Sequence, residues 1–195
     1  MTNLTQISDE TLLRRSADGD EEAFVALYRR RQAGIYRFAL HMSGSAAVAE
    51  EVTQEVFVAV IGDGKRYDEV RGSATSYLFG IARNHVLKLL ERSRPCIGLE
   101  DDCAESTPAT DNVLADLARA EAIENVRQAV LELPPVYREA VVLCDLEELS
   151  YAEAADTLQV PVGTVRSRIA RGRAILVQKL SKPGAEGSNS LRCFV

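Results

Sequence analysis

Residues 149–168 read LSYAEAADTLQVPVGTVRSR, and their spacing decides how the chain folds. Ser150 and Glu153 have the S-x-x-E spacing of a capping box, in which each side chain satisfies a free backbone N–H of the other at a helix start. Ala155 is small where this first helix must pass close to a second, and Val160 and Pro161 fit the turn between them. Val165, Ile169, Gly172 and Leu176 then fall on one side of a helical wheel, with Ser167 and Arg171 nearly opposite and Arg166, Arg168 and Arg173 flanking. The pattern predicts a helix-turn-helix: an apolar rail for the partner helix and a polar ridge suited to a DNA major groove. An ordinary helical hairpin with basic decoration fits the same spacing. Gln159 stands where such turns commonly carry Gly, and a non-Gly residue with positive φ there costs on the order of 1 kcal/mol.

Outward from this motif the pattern stays helical. From Asp20, the positions Phe24, Leu27, Tyr28, Arg31, Ile35, Phe38 and Met42 recur at helical steps, with Gly19 separating them from a short helix holding Leu12 and Leu13. Gly44 ends that long helix, and Ser45 caps a next one running to about Ile61 with Ala49, Val52, Val56 and Val60 on one side. Ser73 caps another to about Arg94, with Leu78, Ile81, Ala82, Val86 and Leu89 inward. Asn112 caps a helix from Val113 to about Leu133 that stops at Pro134–Pro135, and shorter ones fit 136–146, 151–158 and 162–180. Period-two strands are missing. The expected fold is therefore all-α, in two helical domains over 1–95 and 113–180. Residues 96–112 join them as a flexible linker holding five acids and no base, and 181–195 form a disordered tail.

Composition narrows the chemistry. With 195 residues, 46 % apolar and 27 % charged, the chain has enough apolar material for a packed core. The net charge of −6 is uneven: residues 1–95 are neutral, 96–112 carry −5, and 163–180 carry +5. A local basic segment governs phosphate attraction more than total charge does, because fields beyond about 8 Å are screened at physiological salt. A solvated helix face and a DNA-binding face both fit that charge. Cys96, Cys103, Cys144 and Cys193 are scattered without a CxxC, which predicts reduced thiols rather than a disulfide scaffold or a zinc ribbon. Cys193 is third from the end, so RCFV is not a prenylation box. His41 and His85 are the only histidines, on different segments, which excludes a multi-histidine metal site. No P-loop, metal-binding carboxylate cluster or paired nucleophile and base is evident, so neither a cofactor nor catalysis is expected. No apolar run approaches ~18 residues, and MTNLTQISDE lacks the regions of a secretion signal. The expected location is cytoplasmic, without membrane insertion.

Three stretches together carry a family resemblance. Residues 133–176, LPPVYREAVVLCDLEELSYAEAADTLQVPVGTVRSRIARGRAIL, resemble domain 4 of the extracytoplasmic-function (ECF) sigma factors of bacterial RNA polymerase. AEEVTQEVF at 49–57 resembles the helix by which domain 2 of these factors grips the polymerase. VRGSATSYLFGIARNHVLKLLERSR at 70–94 resembles the helix pair that melts and reads the −10 element. The likeness covers about 8–180, with the three motifs in family order.

The resemblance implies a non-enzymatic specificity factor with three tasks. Glu51, Val52, Gln54, Glu55 and Phe57 would hold core RNA polymerase, through the β′ clamp coiled coil with a further contact to the β subunit. Glu51–Val52 replaces the family's usual Asp-Leu and keeps charge and apolarity. Arg71, Ser73, Arg83, Asn84, Lys88 and Arg92 would bind −10 DNA, beside a loop at 65–75 that resembles the family's base-capturing loop. Tyr77 stands where the family usually has Trp, and with Phe79 it reads as core, while His85 reads as a helix-surface residue. Thr164, Arg166, Ser167, Arg168, Arg171 and Arg173 would bind −35 duplex DNA, Thr164 as the cap of the recognition helix. Promoter DNA and an anti-sigma factor are the further implied partners, with no small-molecule substrate. The acidic linker would thread the polymerase cleft as an RNA mimic, or act as a solubilising tether. A LuxR-type regulator is the alternative, since its helix-turn-helix resembles 149–169, although such proteins add an α/β or sheet domain that is not evident here.

Overall fold

The computed structural model describes residues 7–92 and 113–181, and the linker, the Asn112 cap and the tail beyond Ser181 fall outside them. All regular structure among the described residues is helical. Four helices form the N-terminal unit: α1 (Asp9–Ala17), α2 (Glu21–Ser43), α3 (Ala46–Asp63) and α4 (Ala74–Arg92). The C-terminal unit contains α5 (Val113–Leu131), α6 (Pro135–Val141), α7 (Tyr151–Leu158) and α8 (Val162–Leu180).

Local chemistry sets the boundaries. Ser8, Asp20 and Ser45 each accept a backbone N–H of the first turn at the starts of α1, α2 and α3. Ser73 Oγ accepts from Ser76 N at the start of α4. Gly44 closes α2 in the left-handed conformation. The Ser150–Glu153 capping box forms, and Gln159 closes α7 at φ 55° and ψ 45°, its side-chain amide donating to the Asp156 carbonyl at 2.5 Å. The strain expected of a non-glycine there is thus held by a local hydrogen bond. The helix expected over 136–146 is divided: α6 stops at Val141, and Val142–Leu146 widens into a π-helical turn packed against α2.

Leu12, Leu27, Ile35, Phe38, Val52 and Val56 lie at the centre of the N-terminal bundle, fully buried. Asp9 is buried at the start of α1, where Arg30 and Arg31 of α2 pair with it. In the C-terminal unit α8 lies on α6 and α7 along the Val165–Ile169–Gly172 rail. A Cβ at Gly172 would sit 2.6 Å from Val141 Cγ2, so any larger residue forces Val141 or the crossing to shift.

The units do not stand apart. One continuous apolar cluster runs from Leu12 through α4 to Ile169, and α4 packs on α7 while α2 meets α5, α6 and the π turn. Arg138 of α6 donates to Met42 O at the end of α2 (2.7 Å), to Leu131 O at the last residue of α5 and to Leu133 O just after it (3.0 Å), tying two helix ends from different units. His41 faces this junction with Nδ1 buried and unbonded among the described residues. Its pKa is held below the ordinary imidazole value by burial, then by the nearby Arg127 and Arg37 charges.

Two stability measurements follow from this packing. Gly172→Ala overpacks the α6–α8 crossing and is expected to lower unfolding free energy by about 1–3 kcal/mol in urea denaturation. An unchanged midpoint would mean that the crossing relaxes freely. His41 binds protons less readily folded than unfolded, so its contribution to stability is present above pH ~6.5 and is lost as pH falls below it. Wild type is expected to lose more thermal stability than His41→Gln between pH 7.5 and pH 5.5. Equal losses would place the titration elsewhere.

Candidate nucleic-acid and polymerase interfaces

Three surfaces carry the sequence-predicted residues. On α3, the period of 3.6 turns Glu51, Gln54 and Glu55 outward, all exposed, beside Glu50. Val52 and Phe57 do not belong to that surface, a correction to the sequence reading. Val52 is fully buried, and Phe57 packs edge-on against Phe24 (6.0 Å between ring centroids) and tilted against Tyr28 (4.7 Å). They hold the helix from beneath. A shallow groove beside Gln54 is lined by Tyr28, Gln32 and Tyr36 of α2.

The second surface is the end of α3, the loop after it and the outer face of α4. Two 3-10 turns, Gly64–Arg66 and Glu69–Arg71, fold this loop over the start of α4. A cleft of about 330 Å³ opens here, with Arg66, Tyr67, Arg71, Tyr77, Arg83 and Asn84 in its wall. Tyr77 is not core as expected: it is half-buried, 5.3 Å from the Tyr67 ring, and donates to Asp63 O at 3.5 Å. Burial pushes both phenols above their ordinary pKa, so both remain neutral donors. Tyr67 donates to Gly72 O at 3.1 Å, which fixes the loop. Phe79 is core, edge-on to Phe38 at 5.6 Å. Arg71, Asn84, Lys88 and Arg92 are exposed.

Arg83 and Ser73 are engaged by the other unit. Arg83 donates to both carboxylate oxygens of Glu139 of α6, at 3.0 and 3.3 Å, with the Glu139 side chain only 4 % exposed. Ser73 Oγ donates to Glu153 Oε1 at 3.2 Å. The far wall of the cleft is Asp156, Thr157 and Gln159 of α7.

The third surface is the outer side of α8. Arg166, Ser167 and Arg171 are exposed, and Arg168 is half-buried. Arg166 lies over the Tyr151 ring with Cζ 5.9 Å from the centroid, a cation–π contact that holds the guanidinium. Arg173 pairs with Asp145 through two hydrogen bonds of 3.0 and 2.5 Å. Thr164 is not the cap. The helix begins at Val162 behind Pro161, so Thr164 lies inside the first turn, where its carbonyl accepts from Ser167 Oγ at 2.9 Å.

Sequence reasoning missed the residues that join the units: Arg37, Arg138, Glu139 and Glu147. Glu139 left a weak trace, as an acid entering the apolar run 140–143.

The comparisons with known proteins match both units in order. Residues 27–95 match the family profile described as Sigma-70 region 2, and 123–176 match Sigma-70, region 4. The chain is 37 % identical over 180 residues to the ECF RNA polymerase sigma factor SigE of Mycolicibacterium smegmatis, covering 89 % of this chain and 69 % of that one. It is 31 % identical to SigW of Bacillus subtilis, also an ECF sigma factor, over 83 % of this chain and 91 % of the relative. Among solved structures, CnrH in complex with the cytosolic domain of CnrY superposes with a TM-score of 0.70 at 26 % identity, over 90 % of this chain and 99 % of that one. These matches span both units and remove the LuxR-type alternative, which leaves the first unit unexplained.

Proposed function

From its membership of the ECF sigma factors of the sigma-70 family, in which this chain belongs, we propose how its two units divide the work. The protein binds core RNA polymerase and directs promoter-specific transcription initiation through −10 and −35 recognition. The proposed residue assignment is carried by one observation: each unit turns a chemically distinct polar face outward from an apolar core. Glu51, Gln54 and Glu55 form the acidic stripe offered to the polymerase, suited to a basic helical partner such as the β′ clamp coiled coil. Arg71, Ser73, Arg83, Asn84, Lys88 and Arg92 form the −10 face. There Asn84 offers paired hydrogen bonds to a base edge, and the Tyr67–Tyr77 cleft offers a place for an unstacked base. Arg166, Ser167, Arg168 and Arg171 read the −35 duplex, while Arg173 chiefly buttresses α8 through Asp145.

Residues 1–95 form the polymerase and −10 unit in this reading, and 113–180 the −35 unit with its helix-turn-helix at 149–168. The chain carries no catalysis of its own, since the polymerase performs phosphoryl transfer. It works in the cytoplasm, in keeping with described helices none of which is long and apolar enough to cross a membrane. An anti-sigma factor is a further proposed partner, supported by the CnrH structure having been solved with a bound protein.

Two experiments test the assignment. Glu51→Arg with Glu55→Arg is expected to abolish co-purification with core polymerase at unchanged thermal stability. Phe57→Ala is expected to lose about 3–5 kcal/mol of stability, as a buried aromatic does. A folded double variant that still binds core would overturn the stripe. In the holoenzyme, Asn84→Ala should reduce promoter melting read by permanganate and spare binding to a −35 duplex, and Arg171→Ala should do the reverse. Each lost base contact is worth ~1–3 kcal/mol. If both substitutions move both assays equally, the division of labour fails.

A further inference from the structure

Arg166 and Arg173 stand on one side of α8, two turns and ~10.5 Å apart along its axis. Tyr151, the first residue of α7, bears on both. Arg166 lies over its ring, with Cζ 5.9 Å from the centroid. The Asp145 hydrogen bond, and to a smaller degree the Tyr151 hydroxyl, hold Arg173 above the ordinary guanidinium pKa. The two arginines are used differently. Arg173 donates to both carboxylate oxygens of Asp145, at 3.0 and 2.5 Å, so its donors are engaged within the protein. Arg166 makes no hydrogen bond among the described residues and meets only the ring. A guanidinium carries its five N–H donors in its own plane, and a contact with an aromatic face consumes none of them. Tyr151 is itself held in place. The capping box closes around it, with Ser150 N donating to Glu153 Oε2 at 3.0 Å and Glu153 N to Ser150 Oγ at 3.2 Å. Asp145, which anchors Arg173, belongs to the π turn Val142–Leu146, and π turns recur at functional sites.

We propose that Tyr151 is a positioning residue for duplex recognition: its ring holds the Arg166 guanidinium so that the unused donor edge reads a guanine in the major groove. Guanine offers two acceptors, O6 and N7, at the spacing of that edge. An unsupported arginine samples many rotamers and loses that freedom on docking. Arg166 meets the ring in the free protein, so part of that loss has already occurred. Its neighbours on the ridge are placed otherwise. Ser167 Oγ donates to Thr164 O at 2.9 Å, and Arg171 is exposed and lies over no ring among the described residues. Arg166 is thus the ridge residue whose donors are both unspent and held. Arg173 and Asp145 brace the array from the far side of the tyrosine. This inference rests on the assignment of α8 to the −35 duplex, and it names the base class that one arginine reads there.

The test titrates the holoenzyme with a −35 duplex from a promoter it transcribes, and with duplexes in which each guanine in turn is 7-deazaguanine. That base keeps Watson–Crick pairing and lacks the N7 acceptor. Wild type is expected to lose about tenfold in affinity at one guanine, as it would for one base contact. Tyr151→Leu keeps an apolar side chain and leaves the Ser150–Glu153 box intact. It is expected to bind the natural duplex about tenfold more weakly and to show no further penalty at that guanine. Tyr151→Phe retains the ring and should keep the penalty within about twofold of wild type. A wild-type protein with no penalty at any guanine overturns the proposal. So does a Tyr151→Leu protein that weakens every duplex alike and keeps the penalty, because a merely structural residue moves all sequences together. A Tyr151→Phe protein that loses as much as Tyr151→Leu also overturns it. Arg166→Ala separates this role from the assignment beneath it. If that variant keeps both affinity and penalty, the placing of Arg166 on the −35 duplex fails and the proposal with it. If Arg166→Ala abolishes the penalty while Tyr151→Leu keeps it, the −35 assignment stands and the role of Tyr151 is overturned.

Discussion

Burial of two carboxylates between two helical units is the constraint on which the arrangement depends. Glu139 and Glu147 leave water only where a guanidinium meets them. Burial pushes the Glu147 carboxyl above its ordinary pKa, against the opposing pull of its hydrogen bond to Arg37. A buried ion pair of this kind is weak evidence of net stability, because desolvation offsets most of the attraction. What it fixes is position. Removing one partner leaves an uncompensated charge, so the units fit in one register or separate. Apolar contact along α4 and α7 supplies attraction, and the ion pairs determine where it is used.

Most helices were legible because their signals are local. Asp20, Ser45 and the Ser150–Glu153 pair sit three residues or fewer from the groups they cap, and the stripes of α2, α3 and α4 repeat within one element. The π turn at Val142–Leu146 was not legible, since an apolar run of that length reads equally as α-helix. The contact between the units was not legible either. Arg37 and Glu147 are 110 residues apart and Arg83 and Glu139 are 56 apart, and each alone resembles a solvated charge on a helix. Val52 and Phe57 show a different failure. The family stretch includes both, yet the same helical wheel that turns Glu51 and Glu55 outward turns Val52 inward. Thr164 failed for a reason of two residues: Pro161, with φ fixed near −60°, starts α8 at Val162 and leaves Thr164 inside the first turn.

The two basic faces differ in how firmly their side chains are held. On α8, Arg166 is braced by Tyr151 and Arg173 by Asp145, so part of the entropy cost of ordering long basic side chains is already met in the free protein. The duplex proposed for this ridge has a groove of fixed width, which suits side chains held in place. On α4, Asn84, Lys88 and Arg92 are exposed, beside a cleft walled by two neutral tyrosines. The unstacked strand proposed for this face has no fixed shape, which suits exposed side chains around a rigid aromatic cleft. The contact between the units gives Arg83 and Ser73 carboxylate partners and leaves Arg166, Ser167 and Arg171 of α8 exposed, so the two units meet through α4 and not through the braced ridge.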